Sequence, residues 1–258
     1  VSLLGRLVPG TDGMLWRTLR GTEWSQLADY VSPSFFEVLP PRALWKQLRE
    51  LGANAGDGTR FAAARRATER ALDAHVHRVR IDDEVRGDAE IEALDEAARR
   101  DRGQRVLQIY FGQLVASPTA LLDLRAARFR SHGDGLTWTP RALWLRWDDG
   151  FLDGLRDLYG GFYEGDDSRF RDALARLGID AAEDVFREHF GADDQRAVRF
   201  EAAAFQATFH EVFVRCRDAG VRLHPNFLAL GIYLGCLYDH LEALDLAFDV
   251  RGAWERVA

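Results

Sequence analysis

The groups in this sequence whose types and spacing could do chemistry are polar side chains set on apolar helices, and most lie within Val198–Phe248. In the first half of that stretch Glu201, Thr208, Glu211 and Arg215 recur at steps of 7, 3 and 4, which is one face of a helix, with His210 beside it. In the second half Asp239 and Glu242 share a face at a spacing of three. Carboxylates and imidazoles on facing helices are the donors that helix bundles use for metals. The spacing disfavours such a site here. Glu201 and His210 are nine residues apart, about 13 Å along a helix axis, and one ion with ligand bonds near ~2 Å cannot take both. His240 lies about 100° round the helix from Asp239. Ion pairs along a solvated face, with a hydrogen-bonded histidine at its edge, account for the same residues more simply. We therefore expect no metal and no cofactor. A helical metal-dependent oxidoreductase, haem-oxygenase-like or di-iron, is the alternative. A further grouping is aromatic: Tyr159, Phe162, Tyr163 and Tyr233 could line a pocket for an apolar small molecule or a lipid. The expected ligand-binding residues are thus Tyr159, Tyr163, His210, Tyr233 and Asp239, with no catalytic residue.

Other constellations are missing. There is no glycine-rich phosphate loop, no G-x-S-x-G elbow, no H-E-x-x-H and no zinc-like Cys/His array. The Glu-x-x-His pair of carboxylate-bridged di-iron bundles is absent too. His75 and His77, two residues apart, cannot share a helix face. His189, after Glu188, reads as a helix C-terminal residue, where a cation is mildly favoured.

The 258 residues carry a net charge of −7, which argues against a general nucleic-acid-binding surface. One lysine stands against 33 arginines, the codon bias of a GC-rich, bacterial-like genome. Cys216 and Cys236, both on apolar helix faces, read as reduced buried thiols of a cytoplasmic protein. The start lacks the pattern of a signal peptide. No apolar run reaches the ~18 residues of a membrane span; Phe227–Tyr238 is too short and is closed by Asp239 and His240.

The elements that must position these residues are mostly helices. The central feature is an αα-hairpin. Phe205, Phe209, Val212 and Cys216 stripe its first helix, and Ala219-Gly220 ends it. Pro225 starts a second helix striped by Phe227, Leu230, Leu234, Leu237, Leu241, Leu244 and Phe248. Gly231 and Gly235, one turn apart, would let a neighbouring backbone approach. Upstream, the patterns predict helices near 13–30, 41–51, 60–86, 104–116, 119–129, 149–163, 166–178 and 181–190, with a loop at 54–58. Gly160-Gly161 should admit a close helix neighbour. The aromatic-rich start holds Trp16, Trp24, Tyr30, Phe35, Phe36 and Trp45, and the charge-dense run Asp82–Arg102 reads as solvated. Strand content is expected only within 131–150. The fold expected is mainly α: an irregular multi-helix bundle with a long C-terminal αα-hairpin and at most one small β-hairpin. It would form a single helical domain over residues 1–258, with 1–101 as a finer N-terminal subdomain and 102–258 as the helical core.

The run Ala219-Gly220-Val221-Arg222-Leu223-His224-Pro225-Asn226-Phe227, continued by Leu244-Asp245 and Phe248-Asp249-Val250, resembles the end of the ABC1/UbiB family of atypical kinase-like proteins. That family tends to close with a G-hydrophobic-x-L-x-P-x-F turn, a long apolar helix and an L-D-x-x-F-D-like stop. Asp149–Gly178 is similar to the helical part that follows the family's metal-binding loop, with Gly165-Asp166 and the run from Ala173-Leu174 to Leu177-Gly178 in matching places. The likeness spans about the last 110 residues. The family's K-x-G-Q motif, its catalytic loop with acidic, His and Asn residues, and its Asp-Phe-Gly are not found here; Trp147-Asp148-Asp149-Gly150 stands nearest the last. Asp149 alone cannot position a nucleotide and Mg²⁺ without a lysine and an asparagine partner. The resemblance therefore implies a catalytically silent relative: a non-catalytic binding or regulatory protein, with another protein or a small apolar ligand as its partner.

Overall fold

The computed structural model describes residues 38–83, 91–132, 135–190 and 197–258. Among them are nine α-helices and short strands in small sheets, a mainly α fold. The helix expected at 13–30 lies outside the described residues. Helix α1 spans Pro41–Gly56 and α2 spans Gly58–Asp73. The loop expected at 54–58 shrinks to Asp57, whose carboxylate caps α2 by accepting from Arg60 N at 3.0 Å. The helix expected to run on to residue 86 stops at Asp73, because the chain turns at Arg78 (φ 61°) into strand β1, Val79–Ile81.

Helix α3, Glu96–Ala116, begins eight residues earlier than the apolar run suggested, capped by Asp95. The helix expected over 119–129 does not form. Ala120, Leu121, Leu122, Asp123 and Leu124 are all fully buried, and a helix would have had to turn one face of that run outward. The chain instead makes β2 (Thr119–Leu121), an irregular stretch and a 3-10 turn at Ala126–Arg128. Strands β3 (Phe129–His132), β4 (Gly135–Trp138) and β5 (Trp144–Arg146) follow. β4 lies between β3, antiparallel, and β1, parallel, while β2 pairs antiparallel with β5. The strand content therefore exceeds the one hairpin expected.

Helices α4 (Asp149–Glu164), α5 (Asp167–Leu177) and α6 (Glu183–Phe190) are close to their expected bounds. Asp148 and Asp166 cap α4 and α5, and left-handed Gly165 and Gly178 stop them. Gly161 does admit a close neighbour: a Cβ there would stand 2.5 Å from the backbone nitrogen of Phe170 on α5.

The hairpin consists of α7 (Ala202–Asp218) and α8 (Asn226–Ala243). It is shorter than its apolar stripe. Asp245 takes a left-handed conformation (φ 54°), and Ala247–Phe248 leaves the helix to form β7, paired with β6 (Val198–Arg199). The hairpin is thus closed at its open end by a two-stranded clasp, and α9, Val250–Glu255, follows. Gly231 has no atom near the position of a Cβ, so no backbone approaches it. One buried cluster runs from Val38 to Val257, with α8 at its centre: Tyr233, Cys236 and Leu241 are fully buried. No helix among the described residues is long and apolar enough to cross a membrane.

Candidate functional site

The polar groups of the interior lie between α3, α8 and the irregular stretch after β2. On α3, Arg102, Val106, Ile109 and Gln113 lie on one helical face, and all are buried. Across from it α8 presents Tyr233 and His240, while Asp239 turns toward Ala126. Between these elements the side chains form a hydroxyl layer and a charged layer.

In the hydroxyl layer the Tyr110 and Tyr159 phenols are 2.6 Å apart. Tyr233 Oη donates to the Tyr110 carbonyl at 3.2 Å and accepts from Gln113 Nε2 at 2.6 Å. Gln113 also reads both backbone groups of Leu121: its Oε1 accepts from the N–H at 2.8 Å and its Nε2 donates to the carbonyl at 3.2 Å. Its amide therefore fixes β2 on α3. Burial pushes the Tyr159 phenol up to about 12, with the Tyr110 bond pulling the other way. Burial also raises Tyr110, Tyr163 and Tyr233 well above the ordinary phenol value. All four are neutral core tyrosines, and Tyr110, Tyr159 and Tyr233 are hydrogen-bonded to their neighbours.

The charged layer is built on 122–130. Asp123 is fully buried, and its carboxylate accepts from Arg125 Nε at 2.7 Å and from Arg125 Nη2 at 3.0 Å. Arg128 stands 3.3 Å from the same carboxylate, and the Arg141 N–H donates to it at 3.4 Å. Beside this clamp, Arg102 is 1% exposed. Its Nε donates to His240 Nε2 at 2.9 Å and its Nη2 to the Ala126 carbonyl at 2.8 Å. Since His240 Nε2 accepts, Nδ1 carries the proton and donates to the Leu124 carbonyl at 2.9 Å. Burial, reinforced by the adjacent Arg102 charge, drives His240 well below its ordinary value. Burial and neighbouring Arg130 bring Arg102 down to about 10. Asp239 accepts from Ala126 N at 3.4 Å, and burial raises its carboxyl. The whole layer holds one irregular strand-to-hairpin connection in a single shape.

Of the expected site residues, the structure gathers the tyrosines and disperses the rest. Tyr159 and Tyr163 stack at 6.3 Å, and Tyr159 and Tyr233 both contact Tyr110. An apolar cavity with about 20 Å³ of free interior is bounded by Leu155, Leu158, Tyr159, Phe186, Phe209 and Leu234 among others, so Tyr159 alone of the expected set borders it. That volume is on the order of one or two water molecules, far below the ~300 Å³ of a small-molecule site. His210 is exposed on α7, while Asp239 faces the turn at Ala126. Glu242 Oε1 accepts from Ala202 N at 3.2 Å at the start of α7, and Glu211 pairs with Arg215. Among the described residues no group of three or more His, Cys, Asp or Glu side chains could hold a metal ion. Asp148 caps α4 through Phe151 N, and exposed Asp149 pairs with Arg146, so the Asp-Asp-Gly run is a helix start. Both cysteines are free and buried.

Arg102, Asp123, Arg125 and His240 were not visible as a site in the sequence. The one signal was the phase of Arg102 with Val106, Ile109 and Gln113, hidden because the charge-dense run Asp82–Arg102 reads as solvated. Compared with known proteins, the chain matches no protein-family model and no curated relative.

Proposed function

We propose that this chain is a non-catalytic binding or regulatory protein, a silent relative of atypical kinases. The observation that carries the reading is the Asp123 clamp. A kinase catalytic loop presents an aspartate as base and, five residues on, an asparagine that holds a metal ion. Here Asp123 follows a long helix and a short strand, precedes a β-hairpin, and has Arg128 five residues on. Arg125 grips both carboxylate oxygens in a two-pronged bond, the Arg141 N–H donates to Oδ2, and the Arg128 guanidinium stands 3.3 Å from the same oxygen. A fully buried carboxylate held between two guanidinium groups and a backbone N–H is committed to charge pairing and kept from solvent. Arg128, five residues after Asp123, sets a positive charge there that repels Mg²⁺. The same side chains that remove the chemistry give the loop a fixed internal charge balance, as a scaffold for binding requires.

The test is titration calorimetry with ATP and Mg²⁺ on the full chain. The reading predicts no heat of binding at micromolar nucleotide. A magnesium-dependent affinity in the micromolar range would refute it, and Asp149 would then be the first residue to substitute.

A further inference from the structure

The outward face of α1 differs from the rest of the described surface. The helix buries Leu44, Gln47, Leu51 and Asn54. At 100° per residue these lie within about 80° of arc, which leaves Arg42, Trp45, Lys46, Arg49 and Ala53 on the opposite face, all exposed. Glu50, also exposed, stands at its edge. Trp45 is 40% exposed, the one exposed large apolar side chain among the described residues. The chain's single lysine is beside it. Arg42, Lys46 and Arg49 take part in no ion pair among the described residues. Elsewhere among the described residues some surface guanidinium groups are paired, Arg100 with Glu96, Arg156 with Asp153, Arg176 with Asp157 and Arg215 with Glu211, while Arg60, Arg66, Arg70, Arg222, Arg251 and Arg256 are exposed without an ion pair; it is on α1 that such cations flank an exposed tryptophan.

We propose that this face, Trp45 ringed by Arg42, Lys46 and Arg49, docks on an anionic phospholipid surface. Charge complementarity carries the choice. In a chain of net charge −7, three cations without an ion pair surround the one exposed large apolar side chain among the described residues. The outermost two are seven positions apart, about 10 Å of axis, and their flexible stems suit a layer of mobile phosphate headgroups. A protein interface of ordinary size has an apolar core of several large residues, whereas this face has one. A lipid interface needs only an amphipathic anchor such as tryptophan together with positive charge. The helix then lies in the headgroup plane without spanning. This site is independent of the reading proposed above, and neither result bears on nucleotide binding.

The experiment is cosedimentation of the full chain with phosphatidylcholine vesicles, with and without one-third phosphatidylglycerol, at low and high salt. Binding is expected to the anionic vesicles only and to weaken with salt. Each cation near an anionic leaflet contributes about fivefold in partition, so R42Q/K46Q/R49Q should lower binding about a hundredfold. W45A should weaken it as well, and R42K/R49K, which keeps the charge, should leave it unchanged. These side chains are exposed, so circular dichroism and the unfolding midpoint should match wild type and exclude misfolding as the cause. Absence of binding to anionic vesicles overturns the proposal. So does equal binding to neutral vesicles, or unweakened binding by the triple variant and W45A.

Discussion

Replacing His240 with glutamine should flatten the acid side of this protein's stability profile. In the folded state the imidazole is buried and accepts from Arg102 while donating to Leu124, so it stays neutral far below its ordinary value. In the unfolded chain it titrates near ~6.5. A depressed folded value gives stability that is fully present above the unfolded value and is lost as pH falls toward the folded one. Between pH 7.5 and 5.5 the unfolded state alone takes up the proton, which costs about 1.4 kcal/mol. At pH 5 the loss is about 2 kcal/mol. His224, lowered by burial, pushes in the same direction. Asp239 has the opposite sign, because its raised carboxyl favours the fold at low pH and loses that contribution as pH rises through its folded value. Both contributions remain in the variant and cancel in the difference. Glutamine can offer an acceptor to Arg102 and a donor to Leu124 but cannot titrate. Urea unfolding followed by far-UV circular dichroism at pH 7.5, 6.5 and 5.5 should show wild type losing about 1.4 kcal/mol more than His240→Gln over that range. Parallel profiles would mean that His240 is protonated in the fold and that the Arg102 bond is wrongly assigned.

Other substitutions probe the packing. Leu234→Ala should cost about 2–5 kcal/mol by urea unfolding, toward the upper part because Leu234 already borders the cavity; a loss below about 1 kcal/mol would make α8 a surface helix. Gly161→Ala should cost about 1–3 kcal/mol or more, since the added methyl would meet the backbone of Phe170. Gly231→Ala should instead raise stability by roughly 0.5–1 kcal/mol, because the space beside it is open. If the two glycine variants shift the unfolding midpoint equally, the α4–α5 approach is drawn too close.

What was legible in the sequence was what depends on local rules. The phase of Phe151, Leu155, Leu158 and Phe162, with glycine after the helix, places α4 to within a residue. The 119–129 stretch failed because its apolar residues are buried on every side, and periodicity cannot separate such a strand from a buried helix. β1, β6 and β7 are two or three residues each, too short for any alternation to show. Phe248 kept the helical phase of α8 after the helix had ended, because the left-handed turn at Asp245 is set by non-local pairing with Val198. Tyr159, Tyr163 and Tyr233 were expected to line a pocket, but a phenol that lines a pocket and one that bonds Gln113, as Tyr233 does, look alike in sequence. The Asp123 clamp joins residues five apart in one irregular loop to Arg141 across a hairpin, and no spacing rule anticipates it.

The account rests on Asp123 being held for structure and not for chemistry, and these alternatives predict opposite responses to Asp123→Asn. A catalytic carboxylate is typically maintained at some cost in stability, so its neutralisation leaves the fold as stable or more so. A buried carboxylate that balances Arg125 and Arg128 leaves uncompensated guanidinium groups when it is neutralised, at a cost of about 3–5 kcal/mol. Equilibrium urea unfolding of wild type and Asp123→Asn at neutral pH decides between them. We expect the variant to lose about 3–5 kcal/mol; a variant as stable as wild type, or more stable, would contradict the account and open Asp123 to a catalytic role.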